Sequence, residues 1–162
     1  MLKKTVRRLA LAAIVPAVLV GSAVVATPAD AAVASAKTLT AQLVAQTNAS
    51  RVRAGCPRLK VNAALGRAAV RHSYYMAVTG RFSHTGSGRS NFVTRARAAG
   101  YRAPMSENIG WGYRTSTAMF RAWMASPGHR RNILNCSAKS VGIGVNYSRN
   151  GTPYFTQVFG RV

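Results

Sequence analysis

Three histidines and one glutamate carry most of the chemistry available to this chain. His84 lies in a small-residue loop, Ser83-His84-Thr85-Gly86-Ser87-Gly88-Arg89-Ser90, where packing alone rarely demands an imidazole. His129 follows Ser126-Pro127-Gly128 at the start of an expected helical turn, and Glu107 lies between Ser106 and Asn108. His72 occupies the apolar face of an expected helix and reads as a satisfied core histidine. Two chemistries are open to His84, His129 and Glu107. In the first, the two imidazoles bind a zinc-like divalent ion, with Glu107 as a ligand or as base for a bound water. The second is general acid–base work on a wall polymer, a peptide or RNA, with Glu107 as general base and arginine holding a phosphate.

Composition narrows these options. The 162 residues contain 23 Lys and Arg but only two acids, Asp30 and Glu107, giving a formal charge of +21. Paired-carboxylate glycoside hydrolysis and carboxylate-caged calcium or magnesium are thereby excluded. The hydrophobic fraction of 48% and mean hydropathy of +0.02 are those of a folded chain, not a disordered one.

The N-terminus combines a basic start, an apolar run from Leu9 to Ala26 and an Ala29-Asp30-Ala31 site. Residues 1–31 are therefore read as a secretory signal peptide, and the protein is expected outside the cell. Its removal leaves 131 residues with 19 basic residues, 16 of them Arg, and one acid, a formal charge of +18. Such a surface seeks polyanions: an anionic wall polymer, an anionic lipid surface or, without sequence specificity, nucleic acid. In an exported protein Cys56 and Cys136 are expected to form a disulfide, and their count allows one pairing. Closing that loop is worth about 4.5 kcal/mol in the chain-entropy model.

The elements that must position these groups follow from local signals. Residues 32–37 read as a short flexible leader, and Thr38 or Thr40 as the cap of a helix to about Ala54. Its apolar positions are Leu39, Leu43, Val44 and Val52, and Gly55 ends it. Asn62 caps a helix over residues 63–78, with Leu65, Ala69, His72 and Met76 on one face and Gly80 as the stop. A short helix spans 91–99, a strand 105–113, and a helix 115–125 with Met119, Phe120 and Trp123 inward. Ser126-Pro127 opens another turn of helix to Leu134. Strands over 140–147 and 153–159 flank an Asn150-Gly151 hairpin turn. Helices followed by mostly antiparallel strands make the class α+β, in one domain over 38–162.

Several stretches resemble the CAP superfamily of cysteine-rich secretory, antigen 5 and pathogenesis-related 1 proteins, also called SCP domains, above all its bacterial secreted branch. They are Phe82-Ser83-His84, Ala99-Gly100-Tyr101, Ser106-Glu107-Asn108-Ile109, the block Trp123-Met124-Ala125-Ser126-Pro127-Gly128-His129-Arg130-Arg131-Asn132-Ile133-Leu134, and the closing Tyr154-Phe155-Thr156-Gln157-Val158-Phe159-Gly160. The resemblance implies a three-layer α-β-α sandwich with a cleft lined by His84, His129 and Glu107. It implies metal binding through the histidine pair and, in some members, binding of a small lipid or sterol-like ligand. The family's second cleft acid has no counterpart among residues 32–162. The leading expectation is accordingly a secreted binding module, wall-associated and monomeric, rather than a hydrolase.

Overall fold

The computed structural model describes residues 34–162. The signal-peptide reading of residues 1–31 lies outside them. Among the described residues no helix is long and apolar enough to cross a membrane.

Helix α1 spans Ala36–Arg53 and starts earlier than the sequence suggests. Its cap is Ser35, whose Oγ accepts from the Thr38 N–H at 3.1 Å, so residues 36 and 37 form its first turn and not a leader. Leu39 and Leu43 are buried as expected. Val52, however, is half exposed, and its neighbour Arg51 is fully buried.

Helix α2, Ala63–Thr79, is capped by Asn62, whose Oδ1 accepts from the Ala64 and Leu65 amides at 2.9 and 3.1 Å. It stops at Gly80 in the left-handed conformation, φ +68°. Helix α3 is Phe92–Ala98, capped by Asn91. Helices α4, Ser116–Ala125, and α5, Pro127–Ile133, meet at Ser126, with Pro127 at the first helical position.

Four strands form one sheet in the order β1-β3-β4-β2: β1 Lys60–Val61, β2 Pro104–Trp111, β3 Ser140–Tyr147 and β4 Pro153–Gly160. The pairs β2–β4 and β3–β4 are antiparallel, and β1 runs parallel to β3. Two residues give no periodic signal, so β1 is invisible to sequence reading.

Alternation along the strands sorts the helices into two outer layers. Ile143, Val145, Phe155 and Phe159 pack with Leu39, Leu43, Met119 and Trp123 on the α1–α4–α5 side. Val158 meets Leu65, Ala68, Ala69 and Ala96 on the α2–α3 side. The result is the α-β-α sandwich that the motifs imply. On the α2 side, β3 presents Gly142 and Gly144. A Cβ at either would overlap the backbone of α2 at Leu65–Gly66 or Ala69–Val70, so the helix lies almost directly on the strand. The Cys56–Cys136 disulfide ties the end of α1 to the segment after α5.

Candidate functional site

Strand β2 forms an edge of the sheet and carries Glu107 toward the α2–α3 layer. The Glu107 side chain is only 1% exposed, and both of its oxygens are occupied. His84 Nδ1–H donates to Oε1 at 2.8 Å, and Arg95 Nη2, from α3, donates to Oε2 at 2.7 Å. Arg95 also donates to the backbone carbonyls of His84 and Ser90, at 3.1 and 2.7 Å. One guanidinium therefore holds the carboxylate and the loop that carries His84. With Nδ1 engaged, the 57% exposed imidazole of His84 presents Nε2 to solvent.

His72 is closer to this site than a core histidine needs to be. Its Nε2 lies 4.0 Å from Glu107 Oε1 and donates to the Ser83 carbonyl at 2.9 Å. Its buried Nδ1 has no partner. Burial lowers its pKa from the ordinary 6.5, against the opposing pull of Glu107. The expectation of a satisfied core histidine is thus corrected. The ring is buried, yet one nitrogen is unsatisfied and the other faces the carboxylate.

His129 is carried by α5. Among the described residues no hydrogen bond joins its ring to His84 or Glu107. Burial, and next the neighbouring charge of His84, lower its pKa. Its ring lines a cavity of about 500 Å³ beside the β2 edge, together with Phe82, Ile109, Trp111, Tyr113 and Ser126. Backbone and side chains of α5 are locked to β2 by a buried amide chain. Asn132 Nδ2 donates to Asn108 Oδ1 at 2.8 Å, and Asn108 Nδ2 donates to Gln157 Oε1 at 3.0 Å. Gln157 Nε2 then reaches Thr47 Oγ1 on α1 at 2.9 Å.

These positions bear on both chemistries. Among the described residues no group of three metal-ligating side chains is placed to hold an ion, and each Glu107 oxygen already accepts a hydrogen bond. The donors do not fit a resident zinc ion with three protein ligands. Glu107 is equally unable to act as a general base on a substrate, because it is buried behind His84. The group it can serve is His84 itself, as the carboxylate that fixes its tautomer.

Residues 44–159 match the CAP family model, described as the cysteine-rich secretory protein family. The chain belongs to the CAP family. Its relatives in Bacillus subtilis strain 168 include the uncharacterized protein YkwD, 30% identical over 122 residues that cover 74% of this chain and 46% of YkwD. The uncharacterized membrane protein YlbC is 29% identical over 73% of this chain and 33% of its own length. The chain thus spans less than half the length of these CAP relatives. Among solved structures, an extracellular protein containing a SCP domain from Bacillus anthracis superposes with a TM-score of 0.72 at 27% identity, over 78% of this chain and 41% of that one. An outer surface protein of Borrelia burgdorferi shares the fold, with a TM-score of 0.72 at 16% identity, over 79% of this chain and 96% of that one.

Sequence reasoning missed Arg95, Asn108 and Asn132. Nothing in the sequence distinguishes Arg95 from the other arginines. The two asparagines lie inside the quoted motifs, and their place in those motifs was the available signal.

Proposed function

We propose that this CAP domain is a secreted binding module that holds to an anionic polymer of the cell surface through its cationic exterior. One observation carries the reading. Of the 19 basic residues among those described, 17 are exposed, and every ion pair ends on the buried Glu107. Among the described residues the exterior therefore carries a dense positive charge with no exposed acidic side chain to balance it. The basic and apolar N-terminus supports export, as does the likeness to an extracellular protein.

Retention on an immobilised polyphosphodiester or polyuronate tests the anchor. Elution is expected to follow salt steeply, because the screening length falls from about 10 Å at 0.1 M to about 3 Å at 1 M. Retention that ignores salt over that range overturns it.

A second reading, hydrolysis of wall polymer, peptide or RNA, has one observation in its favour. An exposed imidazole backed by a buried carboxylate is the pairing used for general base catalysis. In that reading His84 is the base and Glu107 orients it. His84→Ala should then abolish activity, while Glu107→Gln lowers it without abolishing it. Activity that survives His84→Ala excludes this assignment.

A further inference from the structure

The mouth of the cavity carries an aromatic cluster that the Glu107 site does not use. Trp111, at the end of β2, is 51% exposed, and Phe82 and Tyr113 beside it are also exposed. Single exposed aromatic residues are ordinary, but three at one mouth form a patch that calls for a partner. The Trp111 ring is not loose. It stacks on Tyr154 of β4 at 6.2 Å and 23°, and Phe82 braces it at 6.2 Å and a tilt of 51°.

Trp111 is also a ridge between two concavities. On one side is the cavity with Phe82, Tyr113 and His129. On the other lies a hollow of about 380 Å³ with a mixed lining, Ala77, Val78 and Tyr154 together with the β3–β4 turn at Ser148, Arg149, Asn150 and Thr152. Exposed arginines adjoin the aromatic residues in sequence, Arg81 beside Phe82 and Arg114 beside Tyr113, and Arg149 lines the hollow.

We propose that Trp111 is the platform for a sugar ring of an acidic glycan whose chain crosses from the cavity into the hollow. A pyranose ring offers a flat face of C–H groups bordered by hydroxyls, which suits an aromatic face with polar margins. Carboxylate or sulfate groups on neighbouring units suit the arginines, which bind such groups bidentately. An acyl chain would need an enclosed apolar channel, whereas these rings are half open and the hollow carries Ser148, Arg149, Asn150 and Thr152. Successive nucleobases stack on successive exposed, parallel rings, whereas Phe82 is inclined at 51° to Trp111 and the near-parallel Tyr154 is buried. The platform rests on the polyanion reading above and locates one unit of that polymer on the surface.

The test uses the purified full chain in 150 mM salt with four probes: hexagalacturonate, neutral cellohexaose, inorganic polyphosphate and oligouridylate. Calorimetry gives affinity, and indole fluorescence reports on Trp111, since Trp123 is buried. Hexagalacturonate is expected to bind, to quench the indole and to weaken at least tenfold in Trp111→Ala. Trp111→Phe should retain most of the affinity, which separates platform loss from misfolding. Polyphosphate is expected to bind both proteins equally and without quenching. Equal hexagalacturonate affinity in Trp111→Ala and the parent overturns the platform and leaves the anchor standing. Failure of both polyanions overturns the anchor itself. Oligouridylate that binds through Trp111 more tightly than hexagalacturonate replaces the glycan with nucleic acid.

Discussion

Two arginines leave the solvent in this molecule, and they do so by different means. Arg95 meets a carboxylate, the Oε2 of Glu107. Arg51, fully buried, meets none. Its Nε donates to the Pro57 carbonyl at 3.0 Å, its Nη1 to Ile133 and Asn135 at 2.7 and 2.8 Å, and its Nη2 to Ala138 at 3.1 Å. Burial lowers its pKa. Four backbone carbonyls substitute for a counter-charge that a chain with one available acid does not supply. Two of them, Ile133 and Asn135, belong to the end of α5 and just beyond it, where helix carbonyls lack partners and carry partial negative charge. The contrast separates architecture from site. Backbone acceptors cannot be removed by substitution, so Arg51 has no compensating mutation. Arg95 also holds two backbone carbonyls, of His84 and Ser90, but its charged acceptor is a side chain and can be changed along with it.

The largest expected effect lies at Arg51. Arg51→Met strands four buried carbonyls, and urea unfolding should show a loss of about 4 kcal/mol or more. A loss below about 1 kcal/mol breaks the contrast. Arg95→Met leaves Glu107 buried without its cation and should cost about 3 kcal/mol. The double change Arg95→Met/Glu107→Gln is expected to recover part of that, whereas no second substitution should rescue Arg51→Met. Replacing Cys56 and Cys136 by alanine should cost about 2–4 kcal/mol. Because the Cys56 N–H bonds the Arg51 carbonyl at 2.9 Å, this loss should not add independently to that of Arg51→Met in a double-mutant cycle.

The smallest effect is pH dependence. His72 and His129 both have pKa values lowered from 6.5 by burial. Below 6.5 the unfolded chain binds protons that the folded one refuses, so stability falls with pH until the folded pKa values are reached. Above 6.5 their contribution is complete. Thermal melts from pH 8 to 5 should show this decline, and His72→Gln should flatten it. An unchanged slope in His72→Gln would remove His72 from the account.

What the sequence made legible was local. Asn62 caps the expected helix, Pro127 opens α5, and Gly80 closes α2, because each signal acts within one turn of chain. Glu107 and His84 were legible as partners through the motifs. The burial of Arg51 in place of Val52 was not, since it depends on carbonyls more than 80 residues away. Arg95 and the approach of His72 to Glu107 were hidden for the same reason, as both depend on how α2 and α3 stack on the sheet. His129 was grouped with His84 and Glu107; it is carried by α5, on the other side of the sheet from Glu107, and its position at the cavity beside the β2 edge leaves it close enough to His84 for that charge to lower its pKa.

The near-contact of α2 with β3 has a consequence for how this family's variation is read. Gly142 and Gly144 bear no reactive group, yet any larger residue there would lift the helix that carries His72 away from Glu107. Selection on the cleft should therefore leave its mark on two silent positions of β3, two strands away from Glu107, and a survey of relatives that ranks residues by invariance would mistake that clearance for chemistry.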